Sequence, residues 1–364
     1  MNLYRLGAVP GIETQAIYHT LAQQRQEGLI ICRPSTPCVC LGMHDDLMQE
    51  VDIRYCTRQS LPIIRREIGG GLVLLDRGQV FFQLVLRSDN PCLQRRRDSF
   101  FCKFLLPAVR ALADFGLQAK IQTPADIVVN ERKISGNGAG DLNGFAVFTG
   151  NVLLNFDRLF MSRVLRLPGR RFRELTRWAM ERHLTTMAEE LGYEPEAEQV
   201  EERLIVHFSD WLGKMEPVDY SDDLRQAVEK VVRQLTDPEF LRLPGKRRLL
   251  RQVKINEKTY VRLQPIRECL ADNPGKGNEC RRENGGLCQG QLIAVVQNGR
   301  LVSAEFHQLC RRQRCGLDQL AQYLHSVRWY EPDIRRAVAD WNRDLSLTGH
   351  WIDETLMMHW LLAE

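Results

Sequence analysis

The chain is short of several things, and each shortage closes off a class of function. No stretch approaches the roughly 18 consecutive apolar residues that a spanning helix needs, so no membrane role is expected. No sign of charge dominates: 50 basic and 46 acidic residues leave a net +4, too even a balance to suggest nucleic acid as the main partner. The opening residues, Met-Asn-Leu-Tyr-Arg-Leu-Gly-Ala-Val-Pro, carry no charged start, long apolar core or small-residue cleavage site, so a cytoplasmic protein is expected. Cysteine is missing from the middle of the chain. Of the 11, six lie between Cys32 and Cys102 and five between Cys269 and Cys315. An odd total without an export signal reads as reduced thiols, not a disulfide framework. No Cys-x-x-Cys pair, internal repeat or low-complexity tract occurs either.

With 364 residues and 42.1 kDa, the chain exceeds the size at which one core keeps growing, so two domains are the default. Apolar spacing predicts helices over 12–26, 49–60 and 98–117, the last with Phe101, Leu105, Val109 and Leu112 on one side. Strands are predicted at 29–33, 38–41, 72–75 and 80–86, with the last two in hairpin order. Further strands are expected at 126–129 and 145–154, the first followed by a polar turn at 130–132, a return strand and a glycine-spaced turn. Residues 156–191 read as helical pieces broken at Pro168-Gly169, and 196–236 as two more helices. Pro238 and Pro244-Gly245 read as a linker. Strands then return over 248–263 and 290–306, and Asn298-Gly299 between apolar alternations marks a hairpin. Helices over 317–327, 332–341 and 353–362 close the chain. The boundaries that follow are 1–240 for a catalytic domain, 246–345 for a small accessory domain with a Cys-rich loop, and 346–364 for a helical extension.

Two stretches hold unusual chemistry. Arg65 and Arg66 stand just before Glu67-Ile68 and the triple glycine Gly69-Gly70-Gly71. Consecutive glycines are kept where the backbone needs uncommon torsions or another group must come close. Backbone N–H groups in such a turn can converge on one oxyanion, and an arginine fork suits carboxylate or phosphate. A hairpin turn with solvated arginines is the plain alternative. The second stretch runs from Asp126 through Lys133 to Ser135-Gly136-Asn137-Gly138. A lysine on a strand entering a glycine-lined turn is placed to act as a point charge on anionic oxygens, although a lone hairpin lysine is usually solvated.

In this order and separation, Arg65-Arg-Glu-Ile-Gly-Gly-Gly71, Asp76-Arg-Gly78, Asp126-Ile-Val-Val129 and Arg132-Lys-Ile-Ser-Gly-Asn137 resemble the lipoate–protein ligase A family. That family includes octanoyltransferases and is related to biotin protein ligases. Gly150 to Asp157 resembles its strand after the lysine motif, and 291–306 its small domain. The resemblance implies an α/β (α+β) chain, with a large mixed-sheet biotin/lipoate-ligase-like domain and a small α+β accessory domain. It implies lipoate or octanoate as the acid substrate, ATP with Mg2+, an acyl-AMP intermediate, and transfer to a lysine of a lipoyl-domain carrier protein. On that pattern Lys133 bridges carboxylate and α-phosphate, and Arg65 or Arg66 holds phosphate or carboxylate oxygens. Gly69, Gly70 and Gly71 line the acyl-adenylate pocket, Asp126 sits near the nucleotide, and Asp76, Ser135, Gly136 and Asn137 complete the binding set.

The family's transferase branches carry the acyl group on a cysteine shortly before the lysine motif or after the following strand. No cysteine lies between Cys102 and Cys269, so the ATP-dependent ligase is preferred over a carrier-to-carrier transferase. A non-catalytic carrier-binding or lipoate-sensing homologue is the third reading. Leu75 where histidine is usual, Thr123-Pro-Ala125 where Arg-Asn is usual and Thr149-Gly150 where His-Gly is usual depart from the pattern. Cys269, Cys280, Cys288, Cys310 and Cys315 are weak candidates for a metal; free thiols are preferred. His44-Asp45-Asp46 is read as a polar turn and His183 as structural or carrier-facing. The Arg-rich run 163–182 is read as a surface for an acidic lipoyl carrier, since it lacks the interleaved aromatics of a nucleic-acid platform.

Overall fold

A computed structural model of the protein describes residues 1–91, 93, 97–246, 251–266, 290–307, 319–346 and 358. The chain divides into two compact units, Met1–Leu167 with Met180–Arg247, and Pro168–Ala179 with Arg248–Glu364. Cys269, Cys280, Cys288, Cys310 and Cys315, and nearly all of the 346–364 extension, lie outside the described residues.

The first unit opens with β1 (Asn2–Pro10), α1 (Glu13–Gln23), β2 (Gly28–Thr36), β3 (Cys38–Leu41), α2 (Leu47–Glu50), α3 (Ile53–Arg58), β4 (Ile63–Arg65), β5 (Val73–Leu75) and β6 (Gln79–Arg87). It continues through α4 (Arg97–Asp114), β7 (Lys120–Gln122), β8 (Asp126–Val129), β9 (Arg132–Ser135), β10 (Asn137–Leu142) and β11 (Phe145–Leu153). Then come α5 (Arg158–Val164), α6 (Arg170–His183), α7 (Met187–Leu191), α8 (Ala197–Leu212), β12 (Glu216–Pro217), α9 (Asp222–Leu235) and α10 (Pro238–Leu241). Of these, α6 begins in the second unit and ends in the first.

The centre is a six-stranded mixed sheet in the order β10-β11-β6-β2-β1-β12. Strand β6 is the apolar run Val80 to Leu86, buried along its length except at Arg87, as expected of a strand covered on both faces. Its side chains alternate. Val80, Phe82, Leu84 and Leu86 join a cluster with Phe100, Phe104 and Phe148 and with Val200, Leu204 and Phe208 of α8. Phe81 and Val85 join a second cluster with α1, α9 and residues of β3 and β4. One sheet with helices on both faces therefore makes two cores.

Three expectations are revised. Strand β5 does not pair with β6; it runs antiparallel to β3, which also pairs parallel with β4, in a separate small sheet. Gly78 lies against the end of β11: its O accepts from Leu154 N at 2.8 Å, and a Cβ there would fall 2.5 Å from Asn155 O. The glycine-spaced segment after Ser135 is not a turn but β10, antiparallel to β11 from Asn137↔Gly150 to Leu142↔Phe145. Nor is the stretch from Pro238 to Gly245 a linker. Asp237 caps α10 by accepting from the Glu239 and Phe240 amides, and Lys246 N donates to His44 O at 2.8 Å.

The second unit carries a four-stranded antiparallel sheet, β13 (Arg251–Asn256), β14 (Thr259–Ile266), β15 (Gly290–Gln297) and β16 (Arg300–His307), in sequence order. Asn298 and Gly299 have φ of 52° and 69°, the left-handed pair that a tight hairpin requires. The inward side chains Leu292, Ala294 and Val296 pack on Leu320 and Leu324 and on Ile334, Val338 and Trp341 of α11 (Glu331–Ser346). Among the described residues, no helix is long and apolar enough to cross a membrane.

Candidate active site

Lys133 lies on β9, reached through a two-residue turn in which Asn130 and Glu131 take φ of 48° and 60°, the geometry of a type I′ hairpin. Ile127 pairs with Ser135 but Val128 pairs with Lys133, so Ile134 is an inserted bulge residue. Bulges re-aim the side chains beside them. Here the Lys133 ammonium meets the buried Asp126 carboxylate at 2.8 Å, with the lysine side chain 20% exposed. The strand's other edge is pinned: Lys133 bridges to Leu184, and Thr185 N donates to Lys133 O at 2.8 Å. Thr185 Oγ1 and Arg132 in turn donate to Glu190, each at 2.7 Å.

Next to the ammonium the chain is bare. A Cβ on Gly136 would lie 3.5 Å from Lys133 Cε and 3.6 Å from Nζ. Gly136 N donates to Asn151 Oδ1 at 2.8 Å, and Asn151 Nδ2 to Gln79 Oε1 at 2.9 Å. Gln79 Nε2 donates to Leu74 O at 2.9 Å and to Asp76 Oδ1 at 3.3 Å. Asp76 also accepts from Gly78 N at 3.0 Å, and burial raises its carboxyl above the ordinary range, against those hydrogen bonds. Asp76 thus holds a turn and reaches the lysine strand through Gln79 and Asn151. Ser135 Oγ donates to Asn137 Oδ1 at 3.1 Å, and Asn137 Nδ2 to Ala125 O at 2.7 Å, tying β10 to the segment before Asp126.

The triple glycine roofs this glycine edge. Gly69 O lies 4.0 Å from where a Gly138 Cβ would be, and Ile68 Cγ2 is 2.8 Å from the corresponding point on Gly140. On the other side a Cβ on Gly42 would sit 1.9 Å from Gly70 O. Gly42 and Gly140 let the loop come this close, while Gly69 and Gly71 themselves meet nothing within 4 Å. His19 holds its start by accepting from Glu67 N at 3.2 Å through Nε2, while Nδ1 bonds Gln15 O at 2.8 Å. Burial lowers the imidazole pKa to about 4, which keeps Nε2 free of a proton as this bond requires.

The two arginines, expected to hold phosphate or carboxylate oxygens, direct their forks at backbone carbonyls in this structure. Arg65 is completely buried and gives its fork to six carbonyls: Gly42, Met43 and Asp45 on one segment, and Phe240, Leu241 and Leu243 on another, at 2.6 to 3.3 Å. A guanidinium has five N–H groups, so none is left for a phosphate. Arg66 donates to Gly69 O at 3.0 Å, Gly71 O at 2.9 Å and Cys40 O at 3.4 Å. It shapes the loop from beneath. In a trans peptide the next N–H points opposite to the carbonyl, so drawing in the Gly69 and Gly71 carbonyls turns the Gly70 and Leu72 amides away from Arg66. Both arginine forks therefore hold backbone carbonyls.

Sequence reasoning passed over Gln79, Asn151 and Thr185. A polar residue opening an otherwise apolar strand marks Gln79, and the Gly-Asn pair marks Asn151; Thr185 leaves no local signal. His44 to Asp46 is the polar turn expected, with Asp45 accepting from Gly42 N and Asp46 capping α2. Among the described cysteines, Cys32, Cys38, Cys40 and Cys56 are buried. Burial pushes their thiols up, that of Cys56 to about 11, the opposite of an activated nucleophile. Among the described residues, no group of three or more His, Cys, Asp or Glu is placed to hold a metal ion.

Comparison with known proteins sets this geometry in context. Residues 11–209 match the family described as the lipoyl protein ligase A/B catalytic domain. The lipoate–protein ligase LplJ of Bacillus subtilis is 31% identical over 128 residues, 35% of this chain and 36% of its own length. The match thus spans about a third of that relative. The octanoyltransferase LipM of Kyrpidia tusciae is 25% identical over 219 residues, 54% of this chain and 80% of its own. Among solved structures, a bipartite lipoate protein ligase from Thermoplasma acidophilum superposes with a TM-score of 0.55 at 22% identity, over 68% of this chain and 98% of that one. A lipoate–protein ligase A bound with ATP gives 0.51 at 22% identity, over 66% and 95%. These two structures share the fold of the chain described here.

Proposed function

Because the chain belongs to the lipoyl protein ligase A/B catalytic domain family, we propose that it joins lipoate, or a related medium-chain acid, to a lysine of a lipoyl carrier protein, activating the acid as an acyl adenylate with ATP. The observation that carries the reading is the Lys133 ammonium, paired with buried Asp126 at 2.8 Å and lying across the bare backbone of Gly136. Attack of a carboxylate oxygen on the α-phosphorus expels pyrophosphate, and attack of the carrier lysine on the acyl adenylate then forms the amide, loses a proton and expels AMP; the first step needs both partners brought together and their oxygens neutralised more than it needs a protein nucleophile. Lys133 supplies the charge, with Asp126 keeping it aimed. The loop Ile68 to Gly71 covers the acid, and its outward amides favour the anionic end. ATP supplies the phosphoryl chemistry when bound. Mg2+ would travel with the nucleotide, since this ion commonly binds through substrate phosphates plus one or two carboxylates. Cytoplasmic location and the carrier as partner form part of the same proposal.

A second reading, acyl transfer between carriers without ATP, draws on the likeness to the octanoyltransferase. The stretch from Cys102 to Cys269 without a cysteine, and the buried thiols before it, favour the ligase. The test is to incubate the chain with lipoate, ATP and a lipoyl domain and follow the acceptor's mass. One added lipoyl group that needs ATP, survives thiol alkylation and disappears in Lys133→Ala is the expected result. ATP-independent, alkylation-sensitive transfer from an acylated carrier would replace it with the transferase. Acceptor binding without any transfer would leave a non-catalytic carrier-binding homologue.

A further inference from the structure

Lys133 stands on a slender strand. β9 has four residues, lies at the edge of the three-stranded sheet β7-β8-β9 and carries the bulge at Ile134. On the side away from β8 its backbone partner is the segment after α6, through the Lys133–Leu184 bridge and the bond from Thr185 N to Lys133 O at 2.8 Å. A charge that acts by its placement tolerates little play, since an error of about 1 Å can cost a hundredfold in rate. A bulged edge strand therefore needs a further hold.

One carboxylate spans the junction. Glu190 Oε1 accepts from Arg132 Nη2 and from Thr185 Oγ1, each at 2.7 Å, and Oε2 accepts from the Asn130 side-chain amide at 2.8 Å. These donors come from both sides of Lys133. Asn130 is in the turn before it, with φ of 48°, Arg132 is the residue next to it, and Thr185 is its partner across the edge. The Glu190 side chain is 6% exposed, against 36% for Glu189, whose bonds from Arg132 and Thr185 are longer, at 3.4 and 3.3 Å. Glu189 is taken up chiefly by Arg158, which also donates to Leu184 O at 3.1 Å. Glu190 stands on a firm base. Its helix α7 buries Met187 in the first core, bonds Ala188 N to Leu154 O at 3.0 Å and is capped by Thr186. Beside an apolar replacement a buried ion pair contributes little net stability; what it does supply is direction, through charge-assisted bonds from a planar fork.

We propose that Glu190 is a positioning residue for Lys133: it ties Asn130 and Arg132 to Thr185, so that the strand carrying the ammonium is fixed to the core through α7. The ammonium itself pairs with Asp126, and Glu190 acts on it through the backbone. The inference rests on the reading of Lys133 as the charge that joins carboxylate and phosphate. Without the Glu190 carboxylate, Asn130, Arg132 and Thr185 lose their common acceptor, β9 is free to shift at its edge, and the ammonium parts from Asp126. Glutamine at 190 keeps an oxygen for Arg132 and Thr185, and the Asn130 amide can turn over to accept from the new NH2 group.

The full chain is tested in two ways. Limited acetylation with the N-hydroxysuccinimide ester of acetate, read by peptide mass spectrometry, gives the labelling of Lys133 relative to exposed Lys214. Glu190→Ala should raise this ratio several-fold while amide exchange over Phe145–Leu153 stays as in the parent, and Glu190→Gln should bring it most of the way back. Labelling needs no adenylation, so it decides the positioning role even where the ligase reading fails. In ATP-dependent acylation of a lipoyl domain, Glu190→Ala should lower kcat about tenfold to a hundredfold, with Glu190→Gln recovering most of the loss. In a Lys133→Ala background the same change should cost less than about twofold, because its effect passes through the lysine. Thr185→Val keeps the side chain's shape, takes one donor from Glu190 and should move both readouts the same way by a smaller factor; it serves where Glu190→Ala does not fold. A labelling ratio that neither variant moves, or a fall in rate as large in the Lys133→Ala background as in the parent, would overturn the proposal.

Discussion

Replacing Arg65 tests the revision most directly. Its fork closes on six carbonyls from two segments far apart in sequence, Gly42 to Asp45 and Phe240 to Leu243, at distances from 2.6 to 3.3 Å. Arg65→Met preserves bulk but leaves those acceptors facing an apolar side chain. Bonds to a charged donor contribute roughly 1.5–3 kcal/mol each and do not add; removal of a buried, fully paired charge from one side costs about 3–5 kcal/mol, the figure expected here. Arg65→Lys keeps the charge with three donors in place of five and should recover about half. Denaturant unfolding gives the magnitude. Hydrogen exchange localises it, with protection lost first over 42–46 and 238–246. Activity of Arg65→Met, measured well below its unfolding temperature, should remain within a fewfold of the parent. An Arg65→Met protein within about 1 kcal/mol of the parent but inactive in ATP-dependent acylation would refute the reasoning and return Arg65 to the substrate.

Lys133→Ala should lower acylation by a hundredfold or more, the typical effect of losing one preorganised charged donor. It should also destabilise the unit, because Asp126 stays buried without its cation; Lys133→Ala with Asp126→Asn should regain stability but not activity. His19, held to a pKa of about 4 by burial, binds a proton in the unfolded chain between about pH 6.5 and 4 that the folded protein refuses. Stability therefore rises with pH through that window. The His19 contribution is complete above it and lost below it, about 3 kcal/mol in all, and His19→Gln should flatten this part of a denaturation-versus-pH curve. Gly42→Ala, whose methyl would overlap Gly70 O at 1.9 Å, should displace the triple-glycine loop at a cost of about 1–3 kcal/mol. It should also raise the KM for the acid, whereas Gly144→Ala, which meets nothing within 4 Å, should change stability through its positive φ alone and leave KM as it was.

Much of this molecule can be read from local signals. Apolar periodicity located α1, α4, β6 and β11 to within a few residues, because each of those elements must present an apolar face to a core whatever its neighbours are. Asn298-Gly299 announced its hairpin, and the order of glycine and lysine motifs pointed to the family, since those torsions and charges are needed at the residues that carry them. Partners were not legible. The sequence around Val73 does not say that β5 joins β3 and not β6, since strand pairing is decided by which edge the rest of the fold brings alongside. The glycines at 136, 138 and 140 look like a turn in isolation. Gly138 and Gly140 instead lie in a strand paired with β11, and Ile68 packs where a Gly140 side chain would otherwise stand. The two arginines show the limit most clearly. By charge alone Arg65 and Arg66 suit a phosphate, and only the return of the chain from Phe240 to Leu243, some 175 residues later, and the carbonyls of Gly69 and Gly71 show what the forks hold. The sequence by itself determined where the glycine loop and the Asp126–Lys133 strand pair lie along the chain. Tertiary structure alone decided that the two arginines hold the backbone, because a guanidinium's few donors go to whichever acceptors the fold brings within hydrogen-bonding reach.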